Sequence, residues 1–355
     1  MDINEKINII KSFAEEIVTE EDLIELFKTK KEIIAYDGFE PSGQIHIAQG
    51  LLRTINVNLL TSVGIKFKFW IADWFAMLNN KFNGDLDKIK IVGQYFIEVW
   101  KACGMDLSKV EFIWASDYIN SHPEYWATVL KLSMNANVKR VLKCSQIMGR
   151  EESMSNSSSQ ILYPLMQAAD IHHLNVDIAQ LGLDQRKVNM LARDIFPKLG
   201  LKPPIAIHHH MLLGLRFKQT DLEGVERKIA LKMSKSKPET AIFMTDTAEQ
   251  VAAKFKKAYC PEGIEEDNPV LEYAKYIVFK KFPEIIIERP AKYGGSLTIK
   301  NYDELRTLYL KKEIHPLDIK QSMTKYINLC LDPVRTHFKT NQEAKKLQEK
   351  VLGFQ

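Results

Sequence analysis

Residues 33–50 read Ile33-Ile34-Ala35-Tyr36-Asp37-Gly38-Phe39-Glu40-Pro41-Ser42-Gly43-Gln44-Ile45-His46-Ile47-Ala48-Gln49-Gly50. The apolar run 33–36, closed by Asp37-Gly38, predicts a buried strand that ends in a turn. Residues 47–62 then predict a helix. A helix that opens just after a strand presents unpaired N–H groups and a positive end, which suit a phosphate or a developing anion. His46 can donate to phosphate oxygens there, and nearby glycines (Gly38, Gly43, Gly50) let a nucleotide come close to the backbone. One His in a turn, taken alone, also reads as structural.

Working outward, residues 5–28 space their apolar side chains as a helix does, at Ile7, Ile10, Phe13, Ile17, Leu23, Leu26 and Phe27. Residues 65–73 and 110–115 are rich in β-branched and aromatic side chains and predict two more strands. Strand, helix, strand, helix is the pattern of a parallel α/β sheet. Residues 120–200 read as mostly helical, interrupted by a Ser- and Asn-rich loop at 151–160. Residues 208–211 read as a sheet edge. Residues 218–240 are polar and carry Gly and Lys, as a mobile loop would. From Ala248 onward no strand cluster stands out; helical spacing and proline breaks predict a separate all-α domain.

The loop holds the second informative stretch, Lys232-Met233-Ser234-Lys235-Ser236. Two lysines with two hydroxyls suit the capture of a triphosphate, because the ammonium groups can follow charge onto departing phosphates. The rest of the composition excludes other classes. With 355 residues, 45% hydrophobic and 26% charged, the chain has the balance of a globular protein of about two domains. No apolar run approaches the ~20 residues of a membrane helix, and the N-terminus lacks a secretory pattern. A net charge of +4 permits a nucleic-acid partner without arguing for one. Lys254, Lys256 and Lys257, and Lys311 and Lys312, read most simply as solvated faces. Four scattered cysteines without CxxC spacing suggest neither zinc nor a disulfide framework, and fit a reducing cytosol. His172-His173 and His208-His209-His210 lack the acid or Cys that would complete a metal site; no metal ligand is assigned.

In combination these stretches resemble a known family. Tyr36-Asp37-Gly38-Phe39-Glu40-Pro41-Ser42-Gly43 with the His46 segment resembles the opening of class I aminoacyl-tRNA synthetases of the archaeal and eukaryotic tyrosyl type. Tyr163-Pro164-Leu165-Met166-Gln167-Ala168-Ala169-Asp170-Ile171 and Gly182-Leu183-Asp184-Gln185-Arg186-Lys187 resemble its amino-acid pocket. Ala258-Tyr259-Cys260-Pro261, Arg289-Pro290-Ala291-Lys292-Tyr293-Gly294-Gly295 and His315-Pro316-Leu317-Asp318 resemble its C-terminal domain. The chain departs from the family at Ala48 and Gln49, where the usual motif carries Gly and a second His. Gln can still donate through its amide but cannot become cationic.

The resemblance implies an α/β, Rossmann-like parallel-sheet catalytic domain over residues 1–245, with a helical dimerisation insertion at about 95–190. The lysine loop would span about 218–240, and an all-α anticodon-binding domain residues 246–355. It implies that Tyr36 and Asp170 hydrogen-bond a substrate phenol, with Tyr163, Gln167 and Gln185 around the amino group. Gly38, Gly43, His46, Gly50, Met211, Leu212, Lys232, Met233 and Lys235 would meet ATP, with His46, Gln49, Lys232 and Lys235 in catalysis and Mg²⁺ accompanying the phosphates. Arg186, Tyr293 and Asp318 would meet tRNA. A cytoplasmic homodimer ligating tyrosine to tRNA(Tyr) is the implied whole. By themselves, Tyr36 also reads as a core tyrosine and Asp170 as a helix carboxylate paired with a lysine.

Overall fold

The computed structural model describes residues 1–144, 157–217, 220–235 and 237–354. Most of the Ser-rich stretch and Ser236 therefore lie outside the described residues. The centre of the fold is a six-stranded sheet ordered β1-β6-β5-β2-β3-β4. Its strands are β1 (Ala14–Val18), β2 (Ile33–Phe39), β3 (Ile65–Ile71), β4 (Val110–Trp114), β5 (Ile178–Gly182) and β6 (Ile205–His209). The last five are parallel; β1 runs antiparallel along β6. From β2 the chain winds one way through β3 and β4, then returns to the other side of β2 for β5 and β6. The switch point of this doubly wound sheet lies between β2 and β5, and ligands bind at such a point beyond the carboxyl ends of the strands.

Three strand readings change. The helical spacing of residues 5–28 is split into helices Ile3–Lys11 and Glu20–Thr29 around β1. Ile17 fits either period; β1 exists because β6 offers it a ladder. Residues 208–211 are no sheet edge, since β1 covers β6 and becomes the edge itself. Its Glu15 and Glu16 carry the charges expected of an exposed rim. β5 lies inside the stretch read as mostly helical. Every one of its five residues is buried, and so short an apolar run carries no period of its own.

Between β4 and β5 the described residues 115–144 and 157–173 are mainly helical, and both strands belong to the sheet. The helix Glu124–Met134 buries Tyr125, Val129 and Leu132 and packs on the helix Ser159–His173. After residue 246 the region is helical, with one addition: Ile285–Ile287 (β7) and Leu297–Ile299 (β8) form a two-stranded antiparallel ribbon. At three residues each they fall below what composition reveals. Their anchor is tertiary, with Tyr326 Oη accepting from Ile286 N at 2.7 Å. This region packs against the first: Phe338 lies 5.4 Å from Tyr95, ring to ring, and His337 pairs with Glu98 at 2.8 Å.

Candidate active site

A cleft of about 440 Å³ opens at the switch point. The carboxyl end of β2 supplies Tyr36, Asp37, Gly38 and Glu40, and β5 with the turn after it supplies Gly182, Asp184 and Gln185. Backbone pairing draws the two distant sequence motifs to its rim. Ile47 N donates to Ile242 O at 2.8 Å and Met244 N to Ile45 O at 3.0 Å, while Met233 N donates to Leu212 O at 2.8 Å. His46, Gln49, Tyr163, Gln167, Asp170, Met211, Leu212, Lys232, Met233 and Lys235 thus line one space.

Gly43 and Gly50 do not line it. Gly43 takes a turn with φ of 107°, a conformation glycine adopts without steric cost. A side chain at Gly50 would come within 2.6 Å of Met244 Cγ, so Gly50 allows close packing behind the wall.

The deep part of the cleft holds Tyr36 and Asp170, each 1% exposed. Asp170 Oδ1 accepts from Tyr125 Oη at 2.6 Å. Asp170 Oδ2 is buried without a partner, and the Tyr36 hydroxyl, with Gln167 as a polar neighbour, makes no well-formed bond. Burial raises both protonation equilibria well above their usual values, and the Asp170 charge adds to the effect on Tyr36. A buried donor–acceptor pair left unsatisfied costs ~1–3 kcal/mol per group, which a ligand carrying one hydroxyl would recover. Nearby, Gln167 Nε2 donates to Gln185 Oε1 at 3.1 Å. Tyr163 Oη donates to Glu40 Oε1 at 2.6 Å, and Asn79 donates to the same carboxylate.

His46 is 7% exposed. Burial, then the charges of Lys235 and Lys232, hold its imidazole well below the usual range, so it is neutral near pH 7. Gln49 N approaches His46 Nδ1 at 3.4 Å, and Gln49 O accepts from Trp100 Nε1 at 2.8 Å. The Gln49 amide, beside that neutral imidazole, can donate a hydrogen bond without carrying charge. Lys235 Nζ lies 3.2 Å from Ser42 Oγ; burial and then Lys81 lower its pKa to about 7 against the pull of Glu40. Lys232 pairs with Asp184.

Sequence reasoning passed over several cleft groups. Arg53, 1% exposed, reaches Asp37 at 3.1 Å and Gln180 O at 3.1 Å. Burial still pushes Asp37 up to about 7. Glu40 and Asp37 stood in the opening stretch, and an acid at a strand's carboxyl end was the available signal. For Tyr125 there was none. The three expected RNA contacts lie elsewhere. Arg186 pairs with Glu16 at 2.8 Å. Tyr293 is 62% exposed beside the ribbon, and Asp318 sits in the first turn of the helix Pro316–Thr340. Arg289 links those two segments by donating to Gly295 O and Glu313 O.

Sheet order and cleft together define a Rossmann-type α/β protein with its ligand site at the switch point. The chain belongs to the tRNA synthetases class I (W and Y), whose family profile matches residues 28–332. It is 48% identical to "Tyrosine--tRNA ligase 1, cytoplasmic" of Arabidopsis thaliana over 99% of this chain and 89% of the plant protein. It is 43% identical to the tyrosine–tRNA ligase of Sulfurisphaera tokodaii over 99% of this chain and 97% of that one. Among solved structures, the Leishmania major tyrosyl-tRNA synthetase in complex with tyrosinol superposes with a TM-score of 0.91 at 41% identity. That match covers 100% of this chain and 53% of the other, so this chain spans about half the length of the Leishmania protein. The Archaeoglobus fulgidus tyrosyl-tRNA synthetase complexed with L-tyrosine gives a TM-score of 0.86 at 38% identity, covering 95% and 99%.

Proposed function

We propose that this chain is a tyrosine–tRNA ligase. The tyrosine carboxylate attacks the α-phosphorus of ATP, forming tyrosyl-adenylate as pyrophosphate departs. A hydroxyl of the 3′-terminal ribose of tRNA(Tyr) then attacks the acyl carbon, taking the tyrosyl group as AMP departs. The observation that carries this reading is the unsatisfied Tyr36 hydroxyl beside the unsatisfied Asp170 Oδ2, in the cleft that also holds both lysines. A phenol donates to Asp170 and accepts from Tyr36; a phenyl ring would leave both unpaired. Binding sites built this way select by ~10⁴–10⁵, a figure for which tyrosyl-tRNA synthetase is the standing example.

Tyr163, Gln167 and Gln185 hold the amino group, with Glu40 behind Tyr163. Neutral His46 and the Gln49 amide donate to phosphate oxygens, and Gly38, Met211, Leu212 and Met233 shape the adenosine side. Lys232 and Lys235 follow the charge onto pyrophosphate. Catalysis rests on positioning and electrostatics, without a covalent enzyme intermediate. Mg²⁺ enters with the triphosphate as part of the substrate; among the described residues no cluster of three ligands offers it a protein site. Arg186 faces the acceptor stem once released from Glu16, and Tyr293 with Asp318 stacks on and bonds an anticodon base.

The protein acts in the cytoplasm as a homodimer. Trp126, Leu130 and Met134 form an exposed apolar stripe on the helix Glu124–Met134, away from its buried face, with Val138 exposed at the start of the next helix, and a second copy would cover it. ATP–pyrophosphate exchange tests the assignment: no tyrosine-dependent exchange would sink it, and faster exchange with tryptophan would overturn the amino acid.

A further inference from the structure

The carboxylate of Asp170 is held from behind. Met166 and Asp170 stand four residues apart on the helix Ser159–His173, so Met166 O and the Asp170 side chain face the same way. Tyr125, 0% exposed on the packed helix Glu124–Met134, puts its hydroxyl between them, 2.9 Å from Met166 O and 2.6 Å from Asp170 Oδ1. The shorter distance is that of an O–H donor to a carboxylate. The Tyr125 ring is itself wedged against the His173 ring at 5.1 Å. His173 is tied to the Tyr125 helix through Thr128 Oγ1 at 2.9 Å, and its carbonyl accepts from Tyr118 Oη at 2.8 Å. Tyr125 thus has little freedom to move, and it engages only one of the two carboxylate oxygens. The other, Oδ2, is the unsatisfied atom in the cleft.

We propose that Tyr125 is a positioning residue for amino-acid selection: its hydroxyl occupies Asp170 Oδ1 and so presents Oδ2, as a bare acceptor, to the substrate phenol. The role deepens the tyrosine assignment and rests on it. Its physical content is twofold. The hydrogen bond fixes the rotation of the carboxyl group about its last torsion, which is otherwise soft. It also favours the ionised carboxylate in a place where burial favours the neutral acid. With a proton on Oδ2, Asp170 would turn an O–H toward the cleft, and the phenol oxygen would then meet two donors, with no acceptor for its own hydrogen. Tyr125 is the group on the described structure that opposes that exchange of roles.

The test is Tyr125→Phe in the full-length protein, assayed by ATP–pyrophosphate exchange against tyrosine and phenylalanine. The KM for tyrosine should rise about tenfold, kcat and the KM for ATP should stay within about twofold, and selection of tyrosine over phenylalanine should fall by the same factor. The acid limb of kcat/KM for tyrosine should move to higher pH, since Asp170 loses a donor that favoured its anion. A merely structural tyrosine would lower thermal stability, or move both KM values together, without shifting that limb. Combining Tyr125→Phe with Asp170→Asn makes the result independent of any general loss of fold: the effects on tyrosine KM should be strongly non-additive. Additive effects, or an unchanged selection ratio, would overturn the proposal. Wild-type protein that shows no tyrosine-dependent exchange would instead overturn the underlying assignment.

Discussion

Replacing Tyr36 by Phe separates stability from function in a way few substitutions at a buried tyrosine would. The Tyr36 hydroxyl is buried and makes no well-formed bond in the free protein. Removing it takes from the folded state only its loose contact with Gln167 and relieves a desolvation cost of ~1–3 kcal/mol. The free variant should therefore melt at or above the wild-type temperature, where removing a satisfied buried hydroxyl would lower it. Function moves the other way. The phenol loses one donor of neutral–neutral type, worth ~0.5–1.5 kcal/mol, which lowers kcat/KM for tyrosine by roughly 2- to 13-fold. Phenylalanine has no oxygen to lose that contact, so its kcat/KM should hold or rise, and selection should narrow by at least the same factor. Thermal melts of the unliganded protein, with pyrophosphate exchange on both amino acids, read out the two halves. A variant that is less stable yet discriminates as well as wild type would refute the reasoning, because the hydroxyl would then serve the fold and the phenol would be read elsewhere.

Other outcomes follow from the charged groups. Lys235→Ala should lower kcat of adenylate formation by ~10²–10³ while tyrosine binding changes little, as for a charge met mainly in the transition state; equal losses in both would contradict the role. Because free-protein Lys235 has a pKa of about 7, kcat/KM for ATP should fall as pH rises through that value, whereas kcat, with phosphates holding the proton on, stays flatter. Tyr293→Ala should weaken tRNA charging and leave pyrophosphate exchange untouched; a matched loss in exchange would move Tyr293 out of an RNA role. His210, stacked on Tyr276 and set between Glu15 and Glu272, has a pKa raised from 6.5 to about 9 by the carboxylates, Glu272 foremost, against the opposing effect of burial. Its raised folded value means the stabilisation is complete below about pH 6.5 and disappears as pH climbs through about 9. After allowance for solvent screening of the carboxylates it amounts to roughly 1–2 kcal/mol. Denaturant midpoints across that window should fall for wild type and run flatter for Glu272→Gln.

Much of the fold was legible in local pattern. β2, β3 and β4 are rich enough in β-branched and aromatic residues to carry their own signal, and the turn and helix after β2 follow from glycine and amphipathic spacing. β1, β5 and the β7–β8 ribbon were not legible. Each spans three to five residues; β1 and β5 pair with segments far away in the chain, so no local window contains the cause, and the ribbon, though local, has strands too short to carry a period. The cleft divides along the same line. Tyr36, His46, Asp170, Lys232 and Lys235 could be named because they sit inside motifs whose chemistry is recognisable. Arg53 and Tyr125 could not, because their partners come from other elements, and Glu40, though inside the opening motif, was passed over because its partners Tyr163 and Asn79 are distant in the chain.

The amino-acid sequence by itself determined which groups exist to do the chemistry, and on which strand, turn or loop each one rides. Only the tertiary structure decided their state. Whether His46 is neutral, whether Asp170 keeps one oxygen bare, and whether Gly50 faces ligand or Met244 depend on which side chains close around each group. Desolvation and pairing are sums over neighbours brought together by the sheet, and those neighbours are scattered along the chain.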